Sequence, residues 1–266
     1  MRALHSAIEG AWKAARGPLS AVLGEERLGR LLDSLGLRAY KTKNFVLERA
    51  VRDGSSLLHR PHDQCIIDEV YEQGAYGPDE ALREGQIVVD LGGHIGAFAC
   101  LAARRVGPTG RVLACEPAPD TAALLRENLR RNGFTWATVI EAAVGEREGE
   151  ARLFVPNKAS DNPAANSLNT IEGRATHLVR LTTLDRLVAE QGLTRIDHLK
   201  IDIEGAELRA LQGASRALDL TRRVLMEIHP CHVPPQAVLE MLVLRGFTPK
   251  VLSKKDDSWL VEAARA

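Results

Sequence analysis

The sequence predicts an α/β protein whose main sheet is parallel and closes on an antiparallel hairpin. Three observations carry this. First, Ile87-Val88-Val89-Asp90-Leu91 is an apolar-biased run around an acid, followed by Gly92, Gly93 and Gly96 and by Ile95, Phe98, Ala99 and Ala102 at helical spacing. That is strand, tight loop and helix. Second, Arg111-Val112-Leu113-Ala114-Cys115-Glu116-Pro117 is another strand ending in an acid, with Glu116 lying 26 positions after Asp90, about one βαβ unit. Third, strand-like and helix-like stretches alternate onward, and Thr248–Ser253 with Ser258–Glu262, joined by Lys254–Asp257, read as a terminal hairpin.

Residues 1–40 are helix-biased, interrupted by Gly17-Pro18 and Gly24. Phe45-Val46-Leu47, a turn at Asp53-Gly54 and Leu57-Leu58 form a hairpin pattern. A helix through Ile66, Ile67 and Val70 is expected next, then the loop Gly74–Pro78. These make residues 1–84 an N-terminal extension of helices and a short hairpin, and residues 85–266 the α/β core. In the core, Asp120 is the expected N-cap of a helix through Arg131, closed by Asn132-Gly133. Thr138-Val139-Ile140 is the third strand, and Glu150–Val155 a short one. Residues 156–176 are a polar stretch rich in Asn and Ser, long enough to suggest a lid over an acceptor. His198–Gly205 is the fourth strand, Arg222–Ile228 the fifth, and Pro235–Leu244 a helix ending before Gly246.

The glycine loop carries the first chemical signal. Its glycines do not match G-x-G-x-x-G, in which backbone must approach a pyrophosphate. An acid entering the loop suits a cationic ligand without phosphate, and S-adenosylmethionine (SAM) is such a ligand. Asp90 can accept from a ligand hydroxyl or ammonium, with Gly92, Gly93, His94 and Gly96 shaping the turn around it. Glu116 can take both ribose hydroxyls through its two oxygens, with Pro117 ending that strand. Ala142 and Ala143, after the third strand, lie where adenine would sit.

The second signal is Lys200-Ile201-Asp202-Ile203-Glu204-Gly205-Ala206-Glu207. Read as a strand, it puts Asp202 and Glu204 on one face, at the carboxyl end where ligands bind in open sheets. Glu227-Ile228-His229-Pro230 ends the neighbouring strand. Two chemistries fit. His229 is a general base oriented by a carboxylate, or Asp202 and Glu227 hold a divalent cation such as Mg²⁺ that acidifies a hydroxyl. Glu207, at a helix N-terminus, suits the macrodipole.

Composition narrows the partners. The 266 residues are 45% hydrophobic and 26% charged, with formal net charge zero. That is ordinary for a globular protein and gives no support for nucleic-acid binding. No apolar run approaches the roughly 20 residues of a membrane span. The four cysteines have no paired spacing, and Cys100 and Cys115 sit in apolar stretches. His229-Pro230-Cys231-His232 lacks the second cluster a structural zinc needs. Unpaired cysteines and no signal-like segment give the expectation of a cytoplasmic protein.

Asp90–Phe98, Cys115-Glu116-Pro117, Thr182-Thr183-Leu184-Asp185, Lys200–Glu207 and Glu227–Pro230, with the upstream pattern Asp63…Ile67-Asp68-Glu69-Val70…Tyr76, together resemble the FkbM family of SAM-dependent methyltransferases. The resemblance covers roughly residues 60–250 and departs from the family at Gly93-His94, where Ala-Asn is usual. It implies a Rossmann-like class I methyltransferase fold, with a mainly parallel seven-stranded sheet and a C-terminal antiparallel hairpin. It also implies O-methylation of a hydroxyl on a sugar, polysaccharide or polyketide, with SAM as cofactor, Tyr76 near it, and Asp202, Glu204 and His229 at the reacting end. The implied partner is a hydroxylated small molecule or carbohydrate, and a homo-oligomer stays open. The alternatives are a non-catalytic SAM-binding protein and an NAD-dependent oxidoreductase.

Overall fold

A computed structural model of the chain describes residues 46–76, 82–155, 168 and 175–265. By its internal contacts the chain divides into residues 1–47 and 48–266, and the architecture below is that of the second unit. The helices expected in residues 1–40 and most of the expected lid lie outside the described residues.

The chain enters through β1 (Leu47–Ala50) and β2 (Ser56–His59), a two-stranded hairpin. A short helix α1 (Gln64–Asp68) continues into a π-helical turn over Glu69–Gln73, which Gly74 ends in the left-handed conformation. Then come β3 (Ile87–Leu91), α2 (Ala97–Val106), β4 (Arg111–Cys115), α3 (Pro119–Arg131) and β5 (Ala137–Ile140). Three strands follow, β6 (Ala143–Val144), β7 (Gly149–Val155) and β8 (Ala175–Thr182), and then α4 (Leu184–Glu190) and β9 (Ile196–Ile201). The chain finishes with α5 (Glu207–Gln212), α6 (Ser215–Asp219), β10 (Thr221–Ile228), α7 (Pro235–Leu244), β11 (Thr248–Lys254) and β12 (Trp259–Ala264).

Seven strands form one sheet in the order β11-β12-β10-β9-β3-β4-β5. All neighbours from β10 to β5 are parallel, and β12 runs antiparallel to both β10 and β11. This is the expected parallel sheet with a terminal hairpin. A bulge interrupts the β11–β12 register between Val251 and Ser253. The central strands are apolar on both faces, as a sheet covered by helices on both sides demands. On β4, Val112 and Ala114 face one core with α2 and α3, while Leu113 and Cys115 face the other with α4 to α7. A separate sheet has the order β6-β8-β7. The sequence reading passes over β8, where Leu178 is 65% accessible and the alternation Val179-Arg180-Leu181-Thr182 is confined to the second half of the strand.

The helices begin and stop for local reasons. Pro119 occupies the first turn of α3 and Pro235 that of α7, where the missing N–H costs nothing. Gly133 and Gly246 follow those helices at positive φ. The expected cap at Asp120 is corrected. The helix starts two residues earlier, with Ala118 as N-cap and no side-chain cap bond, because Pro119 is already set at a helical φ. Among the described residues no helix is long and apolar enough to cross a membrane. Cys100 and Cys115 are buried free thiols, as expected.

Buried Asn128 ties three elements together. From α3 its Nδ2 donates to the carbonyls of Leu58 and Ile95 at 2.9 and 2.7 Å, and its Oδ1 accepts from Leu58 N at 2.6 Å. Asn132, one turn on, makes the same two-way contact with Ser56. The outer hairpin is thus anchored to the core by asparagine side chains. Asn128→Ala leaves three backbone groups unpaired and is expected to cost about 2–4 kcal/mol, from roughly 1–3 kcal/mol per buried unsatisfied group. The midpoint of a urea titration checks this, and an unchanged midpoint would show that the hairpin holds by packing alone.

Candidate active site

The order of the large sheet reverses its direction of growth at β3, which has β4 on one side and β9 on the other. Ligands bind outside the carboxyl ends of strands at such a switch point. A cavity enclosing about 860 Å³, including its open mouth, lies there. It is lined by the glycine loop, the end of β4, the residues after β5 and β9, and Ile66, Val70 and Tyr76 from the α1 region.

The glycine loop is fixed by close backbone approach. Gly92 N and Gly93 N both donate to Cys115 O, at 3.0 and 2.8 Å. Gly92 has φ +83°, and a Cβ there would lie 1.7 Å from the carbonyl oxygen of Asp202. No other residue fits. His94 also has positive φ, +48°, which turns its N–H onto Glu116 Oε2 at 3.0 Å. The other oxygen of Glu116 accepts from Ala118 N at 2.9 Å. Burial raises the Glu116 carboxyl to about 7 in spite of those two N–H donors. Glu116 therefore sits on the cavity wall beside Pro117, oriented by backbone from two elements, with lone pairs left over for a ligand. The His94 ring also lines the cavity, with Nε2 3.7 Å from Asp63 Oδ1. Burial depresses its pKa to about 4 against the pull of Asp63, so the imidazole is neutral.

Asp90 is completely buried, and burial raises its carboxyl above the ordinary range although Lys200 opposes this. Lys200 Nζ lies 3.1 Å from Asp90 Oδ1, 3.2 Å from Gly92 O and 3.7 Å from Asp202 Oδ2. Burial disfavours the Lys200 charge, but Asp90 and Asp202 outweigh it and hold the ammonium above its usual pKa. The rings of Tyr76 and Phe98 stand 4.9 and 5.8 Å from that ammonium. Tyr76 OH donates to Asp202 Oδ2 at 2.9 Å. Ala142 and Ala143 also line the cavity.

The expectation that Asp202 and Glu204 share a strand face is corrected. β9 ends at Ile201, and Glu204 takes φ +52° in the following turn. The turn nevertheless brings the two carboxylates together. Among the described residues, Asp202, Glu204 and His229 each offer a ligand atom, all within 4.8 Å of one another, and Glu227 is not in that set. His229 follows the end of β10. Its Nδ1 meets Glu207 Oε1 at 2.9 Å and its Nε2 lies 3.4 Å from Glu204 Oε2. Burial opposes charge on the ring, but the Glu207 bond and the charges of Glu204 and Glu207 prevail and lift its pKa to about 9. By itself the ring therefore holds a proton at neutral pH. Glu204 is lifted to about 8, chiefly by burial and further by Asp202 and Glu227, against the pull of His229. Glu227 is raised by burial and by Asp202, with a Ser258 hydrogen bond opposing.

Two residues here have roles that sequence reasoning did not assign. Lys200 stands in a run whose acids carry the sequence signal, and in the structure it is a buried strand lysine. Glu207 does open α5 as expected, but its buried carboxylate accepts from Gly205 N at 2.8 Å and orients His229.

Residues 90–249 match the model of the FkbM methyltransferase domain. The chain is 31% identical over 206 residues to the 31-O-demethyl-FK506 methyltransferase FkbM of Streptomyces tacrolimicus, covering 66% of this chain and 76% of that protein. It is 30% identical over 164 residues to the hexuronic acid methyltransferase AglP of Haloferax volcanii, covering 61% and 64%. It is also 30% identical over 204 residues to the AMB antimetabolite synthetase AmbE of Pseudomonas aeruginosa, covering 63% of this chain. The chain spans 64% of the length of AglP and 9% of that of AmbE.

The buried Lys200–Asp90 pair yields a prediction. Lys200→Met strands a carboxylate in the core and is expected to cost about 3–5 kcal/mol, as breaking buried pairs does. Adding Asp90→Asn should restore part of that loss. Denaturation of both single variants and the double variant measures the coupling, and strict additivity would disprove it.

Proposed function

The chain belongs to the FkbM methyltransferase domain family, and from that premise we propose that it transfers the methyl group of SAM to a hydroxyl oxygen of a sugar-like or polyketide-like acceptor. The observation that supports this best is the paired placement of Asp90 with Lys200 and of Glu116 on the two sides of one glycine loop. On this reading, Glu116 receives the ribose hydroxyls and Pro117, Ala142 and Ala143 flank the adenine. The glycine loop, with His94, takes the methionine end near Asp90. Tyr76 and Phe98 cover the sulfonium side. A cationic sulfonium suits a pocket lined by the acids Asp202 and Glu204.

The reaction is an in-line displacement. The acceptor oxygen bonds to the methyl carbon, the carbon–sulfur bond breaks with its electron pair returning to sulfur, and the hydroxyl proton leaves. Alignment of oxygen, carbon and sulfur supplies much of the rate. On this reading Asp202 and Glu204, which line the cavity with His229 close by, orient the hydroxyl, and a carboxylate of this group takes the proton. FkbM is a methyltransferase for 31-O-demethyl-FK506, and AglP one for hexuronic acid. Their acceptors support a hydroxyl acceptor here.

Two outcomes test the reading. Incubation with SAM and a panel of hydroxylated metabolites should release S-adenosylhomocysteine, detected by mass spectrometry, and Asp202→Asn should abolish release while leaving S-adenosylhomocysteine affinity within about threefold. Calorimetric binding of NAD without binding of SAM would overturn it. The second outcome concerns pH. Glu116 is raised to about 7, so it is protonated below that pH and fully anionic above. The anion is the better acceptor for two hydroxyls, so affinity for S-adenosylhomocysteine should rise between pH 6 and pH 8. Glu116→Gln should weaken binding at pH 8 by roughly tenfold, about 1.4 kcal/mol, and flatten the rise. An identical pH profile in the two proteins would remove Glu116 from the ribose site.

A further inference from the structure

We propose that Asp202, Glu204 and His229 form a site for one divalent first-row cation at the acceptor end of the cavity. The site differs from an ordinary acidic patch in three ways. Its ligand set is mixed, two carboxylates and an imidazole, and the three ligand atoms come from two loops that meet over the ends of β9 and β10. All three lie within 4.8 Å of one another, near enough for rotation of these loop side chains to bring them onto one ion at bonds of about 2.0–2.2 Å. The imidazole is also oriented from behind. Glu207, fully buried, holds Nδ1 at 2.9 Å, which fixes the ring with Nε2 turned toward Glu204 and keeps a proton on Nδ1 when an incoming cation displaces the one on Nε2. A carboxylate behind a histidine is the usual outer partner of a ligating imidazole. Glu207 is fixed in turn by Gly205 N at 2.8 Å, so the ligand His229 and the turn bearing Glu204 are tied to one residue.

Asp202 is held from its other side. Tyr76 OH and Lys200 Nζ approach Oδ2 at 2.9 and 3.7 Å, a placement that leaves Oδ1 for the cation. The oxygen-rich set with one nitrogen suits Mn²⁺, Co²⁺ or Zn²⁺ better than Mg²⁺, which prefers oxygen and retained water. Asp202 and Glu204 line the cavity, so the cation faces the acceptor. There it can bind the hydroxyl oxygen and make its proton easier to lose. Only that last role rests on the methyl-transfer reading; cation binding stands without it.

The test is made on the full chain stripped of metal by chelation. Mn²⁺ titration followed by the electron spin resonance of free Mn²⁺ should show one saturable site. Co²⁺ should give a visible spectrum that changes in His229→Ala. His229→Ala and Glu204→Gln should each weaken Mn²⁺ binding at least tenfold, and Glu207→Gln by roughly 10-fold or more through loss of the outer partner. The circular dichroism spectrum and urea midpoint of every variant report that each is folded. Absence of a saturable Mn²⁺ site, or equal binding by wild type and His229→Ala, overturns the proposal. A protein that binds Mn²⁺ at this site but binds neither SAM nor S-adenosylhomocysteine keeps the cation site and refutes the methyl-transfer reading instead.

Discussion

A single buried ammonium organises the centre of this molecule. Lys200 Nζ sits between Asp90 on β3 and Asp202 just past β9, and it also bonds the carbonyl of Gly92. Strands β3 and β9 are the pair at which the sheet changes its direction of growth. The charge therefore closes the one crevice that the topology opens. Isolated in a low-dielectric core, it would cost several kcal/mol. Two carboxylates, a carbonyl and two aromatic faces offset that cost, and each of them is fixed in consequence. The glycine loop cannot shift without uncovering the ammonium, and Tyr76 cannot leave without breaking its bond to Asp202.

The walls of the cavity divide the work between backbone and side chain. On the Glu116 side the chain supplies shape. Alanines and a proline line it, and the one carboxylate is oriented by the N–H groups of His94 and Ala118. On the His229 side the chain supplies charge, with several acids and one imidazole crowded around a turn. A ligand with an uncharged planar end and a positively charged end would lie across these two regions in one orientation only. That gradient follows from strand order, because one wall is built after β4 and β5 and the other after β9 and β10.

Much of this was legible in the sequence, and the failures have physical causes. The strand, glycine loop and helix at 87–106 declared themselves because period-two and period-3.6 patterns meet at glycines that cannot be replaced. The helix Pro235–Leu244 was read to the residue because proline opens it and Gly246 follows it. Cavity-lining Glu116, Asp202 and Glu204 were found from their places at strand ends. The geometry of Asp202 and Glu204 was not, because a strand reading assumes extended backbone and Glu204 adopts a left-handed φ that glutamate seldom takes. Lys200 and Glu207 were undervalued for a related reason. Their importance lies in partners 110 and 22 residues away, and pattern along the chain carries no record of such pairs. Asn128 illustrates the same limit, since a polar residue in an amphipathic helix reads as solvent-facing until the hairpin it holds is seen.

The irregularity in β11 bears on how the molecule behaves among its own copies. An edge strand offers unpaired N–H and C=O groups to any strand that arrives. β11 forms one edge of the large sheet, carries Pro249 and exposed Lys250 and Lys254, and is bent by its bulge. Proline removes a donor, the bulge breaks the even spacing of the rest, and the ammonium groups repel an identical neighbour. At this edge the sheet therefore stops at seven strands by construction, and the apolar side chain of Leu252, 40% accessible, is flanked by the very features that keep a second sheet from growing on it.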